Sequence, residues 1–317
     1  MNRPRILMNG RLLPQLEAVL AERYEMTSLS QQGSPDAFLA QHGAKFAGLV
    51  TSAKTGATAG LINALPALEV LSVFGVGYDA VDVAAAHARG IPVGYTPEVL
   101  NDCVADTAMG LLIDVARKFS ASDRHVRQGL WPKAAFPLAT RVSGKRLGIV
   151  GLGRIGQTIA RRASGFDMDI RYHNRRERTD VSFVYEPSLQ ALAEWCDFLM
   201  IASAGGAETR HLISMDVLKA LGPKGFLVNI SRGSVLDEMA LVEALEQGVI
   251  AGAGLDVYDD EPHVPERLRQ LDQAVLFPHI ASATHETRQA MADLVLDNLE
   301  TYFATGHVKV AVPGGPA

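Results

Sequence analysis

Apolar residues along this chain follow two spacings that take turns: short consecutive runs bounded by glycine, proline or charge, and longer stretches where they recur at helical intervals. The first spacing reads as buried strand, the second as a helix packed by one face. Arg5-Ile-Leu-Met is a strand, Pro14 to Tyr24 a helix, Phe46 to Val50 a strand, and a further helix leads to a strand at Val70–Val73. Val81 to Arg89 is helical and stops at Gly90, and Ile91 to Pro97 is a short strand running into a linker. From Asn101 to about Gln128 the pattern predicts one long helix with Val104, Ala108, Leu111, Leu112, Val115 and Phe119 on its apolar face. A second series then gives strands near 146–150, 168–173, 198–202, 226–230, 250–255 and 275–277, and a last helix from Glu286 to Phe303 carries Ala290, Leu294, Leu296 and Leu299.

Strand and helix in strict alternation build parallel sheets covered on both faces. The expected fold class is therefore α/β, with two Rossmann-like or flavodoxin-like domains built on doubly wound parallel sheets. The last helix follows a completed sheet and is expected to return to the first domain. That makes the second domain, residues 99–287, an insertion into a first domain formed by 1–98 and 288–317. The 317 residues, 48% of them apolar, suffice for two moderate cores.

Charge and cysteine narrow the class. A net charge of −5 gives no general attraction to nucleic acid or to an anionic membrane. Too few apolar residues precede Asn9-Gly10 for a signal-peptide core, and no apolar run approaches membrane-spanning length, so a cytoplasmic protein is expected. Cys103 and Cys196 stand in separate apolar helical contexts without metal-like spacing; buried free thiols and no metal site are expected.

Candidate chemistry begins at Lys145-Arg-Leu-Gly-Ile-Val-Gly151-Leu-Gly153-Arg-Ile-Gly156, where an apolar strand enters a glycine pattern that opens a helix. Gly151 permits the tight turn, Gly153 keeps no side chain between a pyrophosphate and the backbone, and Gly156 lets the helix pack on the sheet. The helix start offers N–H groups and positive dipole charge to the phosphates. The next strand ends at Asn174, Arg175 and Arg176, where an enzyme using NAD carries an acid for the ribose hydroxyl. Arginines match a 2′-phosphate instead, which points to NADP(H). Arg178 continues the run, so a solvated basic loop is the alternative.

Ligands of an open parallel sheet sit beyond the carboxyl ends of its strands. Arg232 follows the strand near 226–230, Asp256 and Glu261 follow 250–255, and His279 follows 275–277. Singly, these could be a helix-capping turn, a solvated acidic turn and a core histidine. Together on one edge they suit reduction of a 2-oxo acid: His279 as proton donor, Glu261 holding its other ring nitrogen, and Arg232 binding the substrate carboxylate and polarising the carbonyl. In the first domain, Ser72-Val-Phe-Gly75-Val-Gly77-Tyr-Asp79 follows a strand, and the Val76 and Gly77 amides could hold the same carboxylate. A tight turn with Asp79 as helix cap is the other reading of that segment.

In its motifs the chain resembles the D-isomer-specific 2-hydroxyacid dehydrogenases over nearly its whole length. They are Val73 to Asp79, Thr96 to Asp106, Gly151 to Gly156, Val228-Asn-Ile-Ser-Arg-Gly-Ser234, Gly254-Leu-Asp-Val257 with Glu261-Pro262, and Pro278-His-Ile-Ala-Ser282. The resemblance implies that Arg232, Glu261 and His279 are catalytic, that Asp256 meets the nicotinamide amide, and that the backbone of Arg154 and Ile155 meets phosphate. It also implies coenzyme contacts at Ile230 and Ser282, and a homodimer formed through the coenzyme domain. Ala202-Ser-Ala-Gly-Gly206 departs from the proline-containing turn of many relatives, leaving Ser203 and Thr209 as candidate polar contacts. The Asn174-Arg-Arg176 tail resembles the NADPH-dependent glyoxylate/hydroxypyruvate reductases, so reduction of glyoxylate to glycolate and hydroxypyruvate to D-glycerate is the expected activity. Hydroxyphenylpyruvate and 2-ketogluconate are alternative substrates; formate or phosphite oxidation and an NAD(H)-binding corepressor role are rival functions. The proline-broken loop from Trp131 to Leu138 is expected either to cross to a partner subunit or to pack on its own domain.

Overall fold

The computed structural model describes residues 3–316. These divide into two compact units, residues 3–100 with 284–316, and Asn101–Ala283. The first holds five strands, β1 (Arg5–Asn9), β2 (Glu25–Ser28), β3 (Gly48–Ser52), β4 (Val70–Phe74) and β5 (Val93–Gly94), all parallel in the order β2-β1-β3-β4-β5. β3 and β4 run centrally and are almost wholly buried, as strands covered by helices on both faces must be. β2 lies at the edge with the polar sequence Glu-Met-Thr-Ser, which carries no apolar run to announce it.

The helix His285–Thr305 belongs to this unit. Its Asn298 is fully buried, donates from Nδ2 to the Tyr95 carbonyl at 3.2 Å, and accepts the Val310 amide on Oδ1 at 2.9 Å. A β-carbon on Gly94 would lie 2.7 Å from the Asn298 side chain, so the strand must be bare there.

The second unit is one sheet of seven parallel strands: β6 (Arg146–Val150), β7 (Asp169–His173), β8 (Val184–Tyr185), β9 (Phe198–Ile201), β10 (Phe226–Asn229), β11 (Gly252–Leu255) and β12 (Ala274–Leu276). Their order, β12-β11-β10-β9-β6-β7-β8, reverses at β6, the switch point where doubly wound sheets bind ligands. Six of the strands match the apolar runs; β8 is a two-residue edge strand that no run marks. Leu199, Ile201, Leu227 and Leu255 from the strands meet Leu192, Leu218, Leu241 and Leu245 from the helices in its core.

The single helix expected over 101–128 is two, Asn101–Arg117 and Phe119–Arg127, broken at Lys118 with φ 57°. The cause is Asp114, buried on the core face, whose carboxylate accepts the Ser120 amide at 2.9 Å and the Ser120 hydroxyl, and so starts a new helix. Phe119 is consequently 50% exposed and not on the buried face. Burial pushes the Cys196 thiol up to about 12, whereas Cys103, expected to be buried as well, is only half-buried; neither forms a disulfide. In the loop after the second helix Trp131 and Leu138 are exposed, while Phe136 packs edge-on to His125 at 5.4 Å. Among the described residues no helix is long and apolar enough to cross a membrane.

Asn298→Ala removes two buried hydrogen bonds and leaves a carbonyl and an amide unpaired, a loss of about 2–4 kcal/mol. Urea unfolding should show it as an earlier transition; an unchanged midpoint would contradict the role given to this side chain.

Candidate active site

His279 lies three residues beyond β12, in a left-handed backbone with φ 54°. A non-glycine residue is uncommon there, and the surrounding contacts account for it. Asp256, the residue after β11, is fully buried, and its carboxylate accepts the amides of Ile280 at 2.7 Å and Ala281 at 2.9 Å. Burial raises this carboxyl above the ordinary aspartate value, with the two amide donors pulling the other way. The clamp fixes the peptide run directly after His279. The imidazole then turns to Glu261, with Nδ1 at 2.8 Å from Oε2 and 3.0 Å from Oε1. An ionised carboxylate only accepts, so the proton of this bond sits on Nδ1 and leaves Nε2 for chemistry. Glu261 is mostly covered, at 16% side-chain exposure, whereas His279 at 43% remains accessible.

Tyr258 ties the loops together. Its amide donates to Glu261 Oε1 at 3.2 Å, and its phenol donates to the Phe277 carbonyl at 2.9 Å, two residues before the histidine. Burial pushes the phenol above its ordinary range, so it stays a donor. Gly233, which follows Arg232, lies so close that a β-carbon there would fall 1.9 Å from the Tyr258 carbonyl carbon. Asn229, fully buried at the end of β10, accepts the Ser231 amide at 3.0 Å and donates to the Arg232 carbonyl at 3.0 Å. Arg232 is thus presented, half-buried, by a bracket of backbone bonds, with Nη1 donating to the Ser231 carbonyl at 2.8 Å.

The switch point carries the glycine turn. Gly151 has φ 97°, and a β-carbon would meet the Ser203 amide nitrogen at 2.5 Å; on Gly156 it would meet the Gly151 carbonyl oxygen at 2.3 Å. Gly153 is different: a β-carbon there meets nothing within 4 Å. The protein itself forces the outer two glycines, whereas the middle one keeps clear a space that only an incoming group would need. Gly153 also begins the helix Arg154–Ser164 with no side-chain cap, which suits phosphate on the first-turn amides of residues such as Arg154 and Ile155. Ser203 adds a buried hydroxyl oxygen without a hydrogen-bond partner among the described residues. These features fit a dinucleotide.

Beyond β7, Asn174 Oδ1 accepts the Leu152 amide at 2.7 Å, which turns its Nδ2 donor the other way. Arg178 is built into the loop, donating to the Leu152 carbonyl at 3.0 Å and pairing with Asp180. Arg175 pairs with Glu208, and Arg176 is exposed. Thr209 donates its hydroxyl to the Ala204 carbonyl at 2.9 Å, so that proton shapes its own loop. Ile230 is buried and commits its amide to the Ile201 carbonyl; Ser282 is half-buried. Asp256, which the resemblance implies as a nicotinamide partner, is fully buried and bonds the Ile280 and Ala281 amides of the His279 loop. In the first unit, Gly75 has φ 148° and bonds Thr96 Oγ1 at 3.0 Å, while the Val76 and Gly77 amides bond no group among the described residues. Asn229, Tyr258 and Glu208 went unassigned in the sequence; the first lies inside a quoted motif, the others carry no pattern of their own.

The sequence profile of the D-isomer specific 2-hydroxyacid dehydrogenase, NAD binding domain, matches residues 109–281. This chain belongs to that family. It is 44% identical to hydroxyphenylpyruvate reductase of Plectranthus scutellarioides, over 94% of this chain and 96% of that one. It is 46% identical to 2-ketogluconate reductase of Gluconobacter oxydans, over 81% and 83%. A solved structure of the NADPH-dependent glyoxylate/hydroxypyruvate reductase of Sinorhizobium meliloti, in complex with NADP and malonate, superposes with a TM-score of 0.92 at 44% identity, covering 99% of this chain and 98% of that chain. The inserted unit is thus a nicotinamide-dinucleotide-binding domain, and the chemistry of the family is reduction of 2-oxo acids.

Asp256→Asn keeps the shape of the clamp but offers one acceptor where two amides need one each. A drop in kcat of about tenfold or more is expected, since a hydrogen bond to a charged group contributes about 1.5–3 kcal/mol. Coenzyme affinity, read by fluorescence titration, should stay within about twofold. Wild-type kcat, or a loss confined to coenzyme affinity, would contradict the clamp.

Proposed function

We propose that this protein reduces small 2-oxo acids with NADPH, converting glyoxylate to glycolate and hydroxypyruvate to D-glycerate. The observation that carries the reading is the His279–Glu261 pair, a bonded imidazole whose Nε2 is left for proton transfer. When bound, NADPH supplies the hydride that the carbonyl carbon receives. His279 gives the carbonyl oxygen its proton, and Glu261 holds the other ring nitrogen so that Nε2 faces the reaction. Arg232 binds the substrate carboxylate and polarises the carbonyl. Asn174 Nδ2, Arg175 and Arg176 support a 2′-phosphate over a ribose hydroxyl, since donors and cations gather where an acid would otherwise stand.

The named activity of the S. meliloti neighbour agrees with this substrate class. The P. scutellarioides relative favours a second reading, an aromatic 2-oxo acid, and the G. oxydans relative a sugar-derived one. Exposed Trp131 and Leu138 support a homodimer in which this loop is covered by a second copy.

His279→Ala is expected to lower kcat by at least about a hundredfold, the scale of a positioned proton donor, while coenzyme still binds. Glu261→Gln, which keeps the shape and loses the charge, should fall between it and wild type. Stopped-flow reduction and a separate coenzyme titration check both; near-wild-type turnover in His279→Ala would reject the assignment.

A further inference from the structure

The Arg175–Glu208 ion pair joins loops that leave the sheet on opposite sides of the glycine turn. β7 and β9 are both hydrogen-bonded neighbours of β6; Arg175 follows β7, and Glu208 follows β9 in the short turn Ala207–Thr209. The Glu208 loop is braced by Thr209, whose amide bonds the Gly206 carbonyl and whose hydroxyl bonds the Ala204 carbonyl, with Gly206 itself at φ 131°. Asn174, bonded to Leu152, braces the other. A bond between the two crosses the mouth of the β6 turn.

Of the three arginines in this run, Arg178 pairs two residues away with Asp180, and Arg176 makes no ion pair among the described residues. Arg175 alone is held by a carboxylate from another loop. We propose that Glu208 is a specificity-determining residue: it holds Arg175 in the free enzyme and competes with the coenzyme's 2′-phosphate for that guanidinium. The inference rests on the reading of Asn174, Arg175 and Arg176 as the phosphate site. NADPH must take Arg175 from Glu208 and then lies beside a like charge. NADH presents a neutral hydroxyl there and leaves the pair in place. Glu208 therefore narrows the preference for NADPH. Both side chains are largely exposed, at 82% and 74%, so the pair is screened by water and acts as a bias of a few-fold, not as a lock.

The test uses NADPH and NADH titrations followed by nicotinamide fluorescence, on wild type, Glu208→Gln, Arg175→Ala and the double variant, at low and high salt. Glu208→Gln should tighten NADPH by about threefold to fivefold and change NADH by less than about 1.5-fold, with the gain shrinking at high salt. In the Arg175→Ala background the gain should fall below half. Equal tightening of both coenzymes, or no tightening, overturns the proposal. If Arg175→Ala weakens NADPH while Glu208→Gln does nothing, the phosphate-site reading stands and the role of Glu208 fails. If Arg175→Ala leaves NADPH binding unchanged, the phosphate-site reading fails and the proposal with it.

Discussion

A carboxylate with no exposed surface holds the backbone that presents the proton donor. Asp256 accepts two consecutive amides, Ile280 and Ala281, and through them keeps His279 at φ 54°. A left-handed non-glycine residue costs about 1–3 kcal/mol and persists only where its surroundings over-determine it. Two charge-assisted bonds from a buried carboxylate are enough to offset that strain. The imidazole is then aimed by the chain itself, and Glu261 has only to meet it.

The same economy of means runs along the sheet edge. Arg232 is presented by Asn229, and its following Gly233 lies against the Tyr258 backbone; Tyr258 in turn bonds Glu261 and the Phe277 carbonyl. Three loops from three adjacent parallel strands are thus fastened by backbone groups and buried side chains, which leaves little rotamer freedom to lose when substrate arrives. At the switch point the protein forces glycine at 151 and 156 by contact, and leaves 153 bare for a ligand. Both halves of the chemistry, proton donor and dinucleotide turn, therefore come from one end of one sheet.

Most of this was legible in the sequence because parallel strands buried on both faces must be apolar runs, and their carboxyl ends can be read off directly. That reasoning marked β6, β10, β11 and β12, and it placed Gly151, Arg232, Asp256, Glu261 and His279 beyond their carboxyl ends. It missed β2 and β8, a polar edge strand and a two-residue one, since edges need no apolar face. It joined two helices because apolar spacing continues through Lys118, whereas the break comes from one polar contact, Asp114 to Ser120. Tyr258 and Glu208 were invisible for a related reason. Their meaning lies in partners 19 and 33 residues away, and no local pattern encodes such a pairing.

The account is tested most directly by giving the purified protein NADPH or NADH with glyoxylate, hydroxypyruvate, pyruvate, phenylpyruvate and a sugar-derived 2-oxo acid, and following loss of the reduced nicotinamide absorbance. The account predicts the highest kcat/KM for glyoxylate or hydroxypyruvate with NADPH, and a preference over NADH of about tenfold, the scale of one charge-assisted phosphate contact. Oxidation of neither coenzyme by any 2-oxo acid, or equal use of both, would contradict it.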